Sequence, residues 1–132
     1  MPGLDTHVLV RWLVEDDTRQ VAKAQSLFDQ ALVRQQTLFV PSAVSLELEW
    51  VLRSRYQLDK GAVVRAFSAL LEAQELEFQD EAALERALHR YRQGSADFAD
   101  CLHACLCSTA GHAPLLSFDE KAARLVDVEL IV

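Results

Sequence analysis

"TLFVPSAVSLELEWVLRSRY", Thr37 to Tyr56, carries a short apolar run into a proline and then into a segment with helical spacing. Leu38, Phe39 and Val40 have the unbroken apolar character of a strand covered on both faces, and Pro41 stops it. Ser42 is a suitable N-cap for the helix that follows. The same alternation of strand and helix returns along the chain. "LEFQ", "PLLSF" and "VELIV" are further strands, and a short one is expected in the lead "GLD", limited to a few residues by Pro2. "THVLVRWL", "RQVAKAQSLFDQALVRQQ", "KGAVVRAFSALLEAQ" capped by Asp59, "DEAALERALHRYRQ" closed by Gly94, "DFADCLHACLCSTAG" closed by Gly111, and "EKAARL" read as helices. Apolar strands alternating with helices are the pattern of a mainly parallel central sheet flanked by helices, so the fold class is α/β.

The chain has 132 residues, the size of one ordinary domain. No internal repeat, low-complexity tract or Pro/Gly/Ser-rich linker divides it, so a single domain over residues 1–132 is expected. No apolar run reaches the roughly 18 residues of a membrane span, and "MPGLDTHVLV" lacks a basic start and a small-residue cleavage site. A cytoplasmic protein away from membranes is expected. Three cysteines, Cys101, Cys105 and Cys107, crowd one helix without a C-x-x-C pair. They suit neither a disulfide framework nor a zinc finger, and read as buried small residues.

A net charge of −7 opposes a surface that coats nucleic acid non-specifically, because that affinity comes from Lys and Arg on phosphates. Residues 61–132 hold 12 acidic and 6 basic side chains, so a basic partner or bound cations would offset the excess. Arg11, Arg53 and Arg55 are candidates for local RNA contacts.

In open α/β sheets ligands bind beyond the carboxyl ends of the strands, where Asp5 and Asp119 stand. On a helical wheel that takes every apolar residue from Leu46 to Leu52 as inward, Glu47 falls on the buried face of its helix and Glu49 faces water. A carboxylate so placed needs a partner, a proton or a metal. Asp97 and Asp100, three residues apart at the start of the next helix but one, share a face with Ala104 and Cys107. Asp97 is expected to cap the helix and line the site, and Asp100 to reach further in. Several carboxylates with no lysine among them resemble a site for hard divalent cations, which polarise phosphodiesters and activate water.

These segments together resemble the PIN-domain ribonucleases, in particular the VapC type of toxin from bacterial toxin–antitoxin pairs. "GLDTHVLVRWL" looks like the family's opening Asp-Thr-Asn-x-Leu motif, "LELEWVLRSRY" like its Glu-bearing helix, "ADFADCLHA" like its Asp-bearing helix and "LLSFDEKAARL" like its final Asp motif. Each motif alone is weak, and their order and spacing are what make the likeness specific. The resemblance implies a three-layer PIN-like fold and a metal-dependent endoribonuclease. It implies Asp5, Glu47, Asp100 and Asp119 as the acidic quartet around Mg²⁺ or Mn²⁺, Asp97 beside them, and Thr6 and Ser117 as supporting hydroxyls. It further implies an RNA substrate, a small antitoxin partner and a homodimer, to which "GAVVRAFSALL" would lend apolar surface. His7 departs from the pattern, standing where the family has Asn, with a different donor arrangement. It keeps open a second reading, an inactive PIN-like interaction module. A haloacid-dehalogenase-type phosphatase needs an acid where His7 stands, and a receiver domain needs an Asp near mid-chain that "VPSAVS" lacks.

Overall fold

The computed structural model describes all 132 residues, Met1 to Val132. They form two compact units, Met1–Gln79 and Asp80–Val132.

The first unit contains helices α1 (Thr6–Leu13), α2 (Thr18–Val33), α3 (Ser42–Ser54) and α4 (Lys60–Glu72) and strands β1 (Leu38–Val40) and β2 (Leu76–Phe78). β1 and β2 pair in parallel, with Leu38 opposite Leu76 and Val40 opposite Phe78. The strand expected in the N-terminal lead is reduced to one parallel bridge between Gly3 and Phe39, because Pro2 has no N–H for the ladder. Leu9, Phe28, Leu48, Leu52, Val63 and Phe67 are buried in this unit. Trp12 meets Phe28 edge to face at 4.9 Å.

On α4, Val63, Phe67 and Leu70 are fully covered within the chain, while Ala62, Val64, Ala66 and Leu71 are partly covered. The start of α3 corrects an expectation: Pro41 holds the N-cap position and Ser42 is already helical. The Ser42 backbone N–H donates to Gln79 Oε1 at 2.9 Å and its hydroxyl to the Gln79 carbonyl at 3.4 Å, so that hydroxyl is engaged elsewhere. Asp59 caps α4 as expected, accepting from the Ala62 N–H at 2.8 Å. Asp17 does the same for α2, with bonds of 3.1 Å from the Arg19 and Gln20 N–H groups.

The second unit contains α5 (Glu81–Gln93), α6 (Phe98–Thr109), β3 (Leu115–Ser117), a 3₁₀ turn (Ala122–Arg124) and β4 (Val128–Leu130). β3 and β4 also pair in parallel. α5 and α6 bury Leu84, Leu88, Phe98, Cys101, Leu102 and Cys105, with Tyr91 and Phe98 edge to face at 5.6 Å. Cys101 and Cys105 are buried, as expected, whereas Cys107 is only partly covered, and burial pushes the Cys105 thiol above its usual range. A smaller cluster of Ala104, Ala122 and Val128 packs with Leu115, Ala123 and Leu125. The helix expected for "EKAARL" is only the single 3₁₀ turn, too short for an α-helical ladder between Asp119 and the strand at Val128. Gly111, at φ +83, closes α6 in the left-handed conformation that favours glycine.

The α/β class and the parallel pairing therefore hold, although the strands are three residues each and hydrogen-bond as two pairs. No helix is long and apolar enough to cross a membrane.

Candidate active site

In the first unit, β1 and the bridged N-terminal lead deliver Asp5 to the start of α1. Its Oδ1 accepts from the Thr6 N–H at 2.8 Å, so the carboxylate caps the helix while staying exposed. Thr6 is fully buried, and its hydroxyl donates to Glu47 Oε1 on α3. Asp5, Thr6 and Glu47 are thus linked through consecutive residues and one side-chain bond. His7 follows on α1 with an exposed ring.

Glu47 is exposed and Glu49 is buried, the reverse of the helical-wheel expectation. The inward face of α3 is Ser45, Leu48, Glu49, Val51 and Leu52, centred roughly 60–80° from Val44. Trp50 is 54% exposed, and counting it with Leu46 among the inward residues rotated the expected face toward Glu47. The buried carboxylate that needs a partner is Glu49, and Arg53 one turn on donates to its Oε2 at 2.8 Å. That pair was legible in the sequence as an i, i+4 Glu–Arg spacing.

In the second unit, Asp97 and Asp100 stand at the start of α6. Asp97 occupies the N-cap position, yet its carboxylate accepts no capping hydrogen bond, contrary to expectation, and it is exposed. Asp100 lies in the first turn and is partly covered. Burial, and then the charges of Asp119 and Asp97, hold its carboxyl above the ordinary carboxylate range. Asp119, just past β3, caps the 3₁₀ turn by accepting from the Lys121 and Ala122 N–H groups at 2.8 and 3.1 Å. Ser117 Oγ accepts from the Asp119 N–H at 3.0 Å, fixing the turn that presents this acid.

Each unit therefore holds its own acidic set, Asp5 with Glu47 in one and Asp97, Asp100 and Asp119 in the other. Nowhere in the chain do three or more His, Cys, Asp or Glu side chains gather into a group that could hold a metal ion. The donor chemistry nevertheless fits a hard divalent cation: all are carboxylate or hydroxyl oxygens, without sulfur or imidazole. A cation would also relieve the like charges that raise Asp100.

One polar cluster of the first unit has no local signature in the sequence. Arg11 on α1 donates from Nη1 to Asp16 at 2.9 Å and to the Tyr56 hydroxyl at 3.1 Å, and from Nε to Gln20. Tyr56 in turn donates to Asp16 at 3.0 Å. The members are up to 45 residues apart, so no local spacing announces them.

A family model described as the PIN domain matches residues 4–128. A VapC ribonuclease of Aquifex aeolicus (strain VF5) is 23% identical over 125 residues, an alignment covering 95% of this chain and 92% of that protein.

Proposed function

Because the chain belongs to the PIN-domain family, we propose that it is an endoribonuclease that hydrolyses RNA phosphodiester bonds with Mg²⁺ or Mn²⁺, as the toxin of a type II toxin–antitoxin pair. The observation that carries this reading is that the family match, residues 4–128, spans every acidic motif from Asp5 to Asp119 in order. The likeness to the Aquifex VapC ribonuclease supports the choice of RNA and of a toxin role. On this reading residues 1–132 act as one nuclease domain.

Asp5, Glu47, Asp100 and Asp119 are the proposed cation ligands, with Asp97 adding charge beside Asp100. When bound, the cation supplies Lewis-acid polarisation of the phosphodiester and a more acidic water. Thr6 orients Glu47 by its hydroxyl, and the Asp5–Thr6 cap fixes the start of α1 beneath that pair. Burial and the neighbouring Asp119 and Asp97 raise the Asp100 carboxyl in the metal-free protein, an unfavourable state that a bound cation would offset. Ser117 and the 3₁₀ turn hold Asp119 in a fixed orientation, so little reorganisation is needed at the moment of reaction.

The proposed partners are an RNA substrate and a small basic antitoxin, whose Lys or Arg would complement the acidic sets and the overall −7 charge. A cytoplasmic location and a homodimer complete the reading. The dimer rests on the family likeness, and light scattering checks it. Purified protein should cleave a structured RNA with Mn²⁺ and stop in chelator, while Asp100→Asn prepared identically stays inactive. Activity equal in both proteins would mean a contaminant and would end the proposal.

A further inference from the structure

α1 and α2 line an open cavity of about 290 Å³ within the first unit. Val8 and Leu27 contribute apolar surface, and His7, Arg11, Gln20 and Lys23 carry the polar groups. Its charged side chains are both cationic, in a protein whose net charge is −7. Arg11 is fixed before any ligand arrives, because Nη1 is spent on Asp16 and Tyr56 and Nε on Gln20. Both Nη2 hydrogens are left to donate, in the planar fork that suits a phosphate. Lys23 is exposed. His7, which lines the cavity, stands immediately after Thr6, the residue that bonds Glu47.

We propose that this cavity is a subsite for one nucleotide of the RNA chain, taking the base against Val8, Leu27 and the His7 ring and a phosphate on Lys23 and Arg11 Nη2. The inference rests on the ribonuclease reading and gives His7 a role that the usual Asn cannot fill. A nucleotide suits the cavity because it joins a flat apolar face to a fixed negative charge, and aromatic rings, histidine included, stack on unpaired bases. Local cations of this kind let an acidic protein engage RNA without a basic surface.

The test is the affinity of the full chain for a short fluorescent single-stranded RNA, measured by anisotropy across a salt series in chelator. Lys23→Glu should weaken binding about tenfold and flatten the salt slope by about one phosphate contact. His7→Ala should weaken it about fivefold, and His7→Phe, which keeps a stacking face, should restore it. Arg34→Glu, the same charge change just beyond the other end of α2, should have no effect. Melting temperatures establish that each variant is folded. Unchanged affinity in Lys23→Glu and His7→Ala, with Asp100-dependent cleavage intact, would overturn the subsite and leave the nuclease reading standing. Absence of both RNA binding and Asp100-dependent cleavage would overturn the two together. If Lys23→Glu weakens capture of a protein partner and leaves RNA affinity unchanged, the cavity is a protein-docking site and the proposal is wrong.

Discussion

The buried Thr6 hydroxyl donates to the exposed Glu47 carboxylate across 41 residues of sequence, tying the first turn of α1 to the middle of α3. Two changes separate orientation from stability. Thr6→Val keeps the packing and removes the donor, and water can replace it at exposed Glu47. It should cost about 1 kcal/mol or less yet lower the cleavage rate about tenfold. Thr6→Ser keeps the donor and opens a methyl-sized void, so the rate should survive while stability falls about 1 kcal/mol. Single-turnover cleavage and thermal melts read the two effects.

Glu49 is the carboxylate that the fold, rather than the chemistry, requires. Glu49→Gln weakens the bond to Arg53 in a buried position and should destabilise by about 1–3 kcal/mol. Its melting temperature should still rise with Mn²⁺ by as much as wild type. Differential scanning fluorimetry with chelator and with Mn²⁺ measures both.

Asp100 sets a pH dependence of the opposite sense to a salt-bridged aspartate. Its folded carboxyl titrates above the ordinary range, chiefly through burial and then through Asp119 and Asp97, so the native state holds the proton more tightly than the unfolded chain does. The resulting penalty is complete above the raised value and vanishes below the ordinary aspartate value. Without metal, melting temperature should therefore rise as pH falls through that window, and Asp100→Asn should melt higher at neutral pH and lose this part of the pH response. Excess Mn²⁺ at a hundredfold over Kd should stabilise wild type by about 2.7 kcal/mol and the variant by less.

Arg90 and Asp127 form a 2.7 Å ion pair in the second unit, both largely covered, joining α5 to the start of the β4 segment. Asp127→Asn should cost about 1–3 kcal/mol. The double variant Arg90→Met, Asp127→Asn should be less destabilised than the sum of the singles, which a double-mutant cycle by urea melts determines.

The helices and strands were legible because their apolar periodicity and caps are local: Asp59 before α4, Gly111 after α6, and the runs at Leu38–Val40 and Leu115–Ser117 all read directly. The acidic motifs were legible by order and spacing. Which glutamate of α3 faces inward was not, because Trp50 is apolar yet exposed and Glu49 is charged yet buried against Arg53. Hydrophobicity alone misplaced both. Asp97 looked like a helix cap because Asp is a favoured N-cap residue, and its position is that of a cap, but side-chain geometry decides whether the bond forms. Pairings such as Arg11 with Tyr56, or Arg90 with Asp127, depend on tertiary approach over 45 and 37 residues, and no sequence interval encodes them.

The single-turnover cleavage rates of Asp5→Asn, Asp100→Asn and the double variant in Mn²⁺ read directly whether both acids serve the proposed hydrolysis. Groups that act as a unit are strongly non-additive. Each single variant should lose about a thousandfold or more, and the double variant should be no slower than the worse single. A wild-type rate in either single variant, or losses that multiply in the double, would contradict the account.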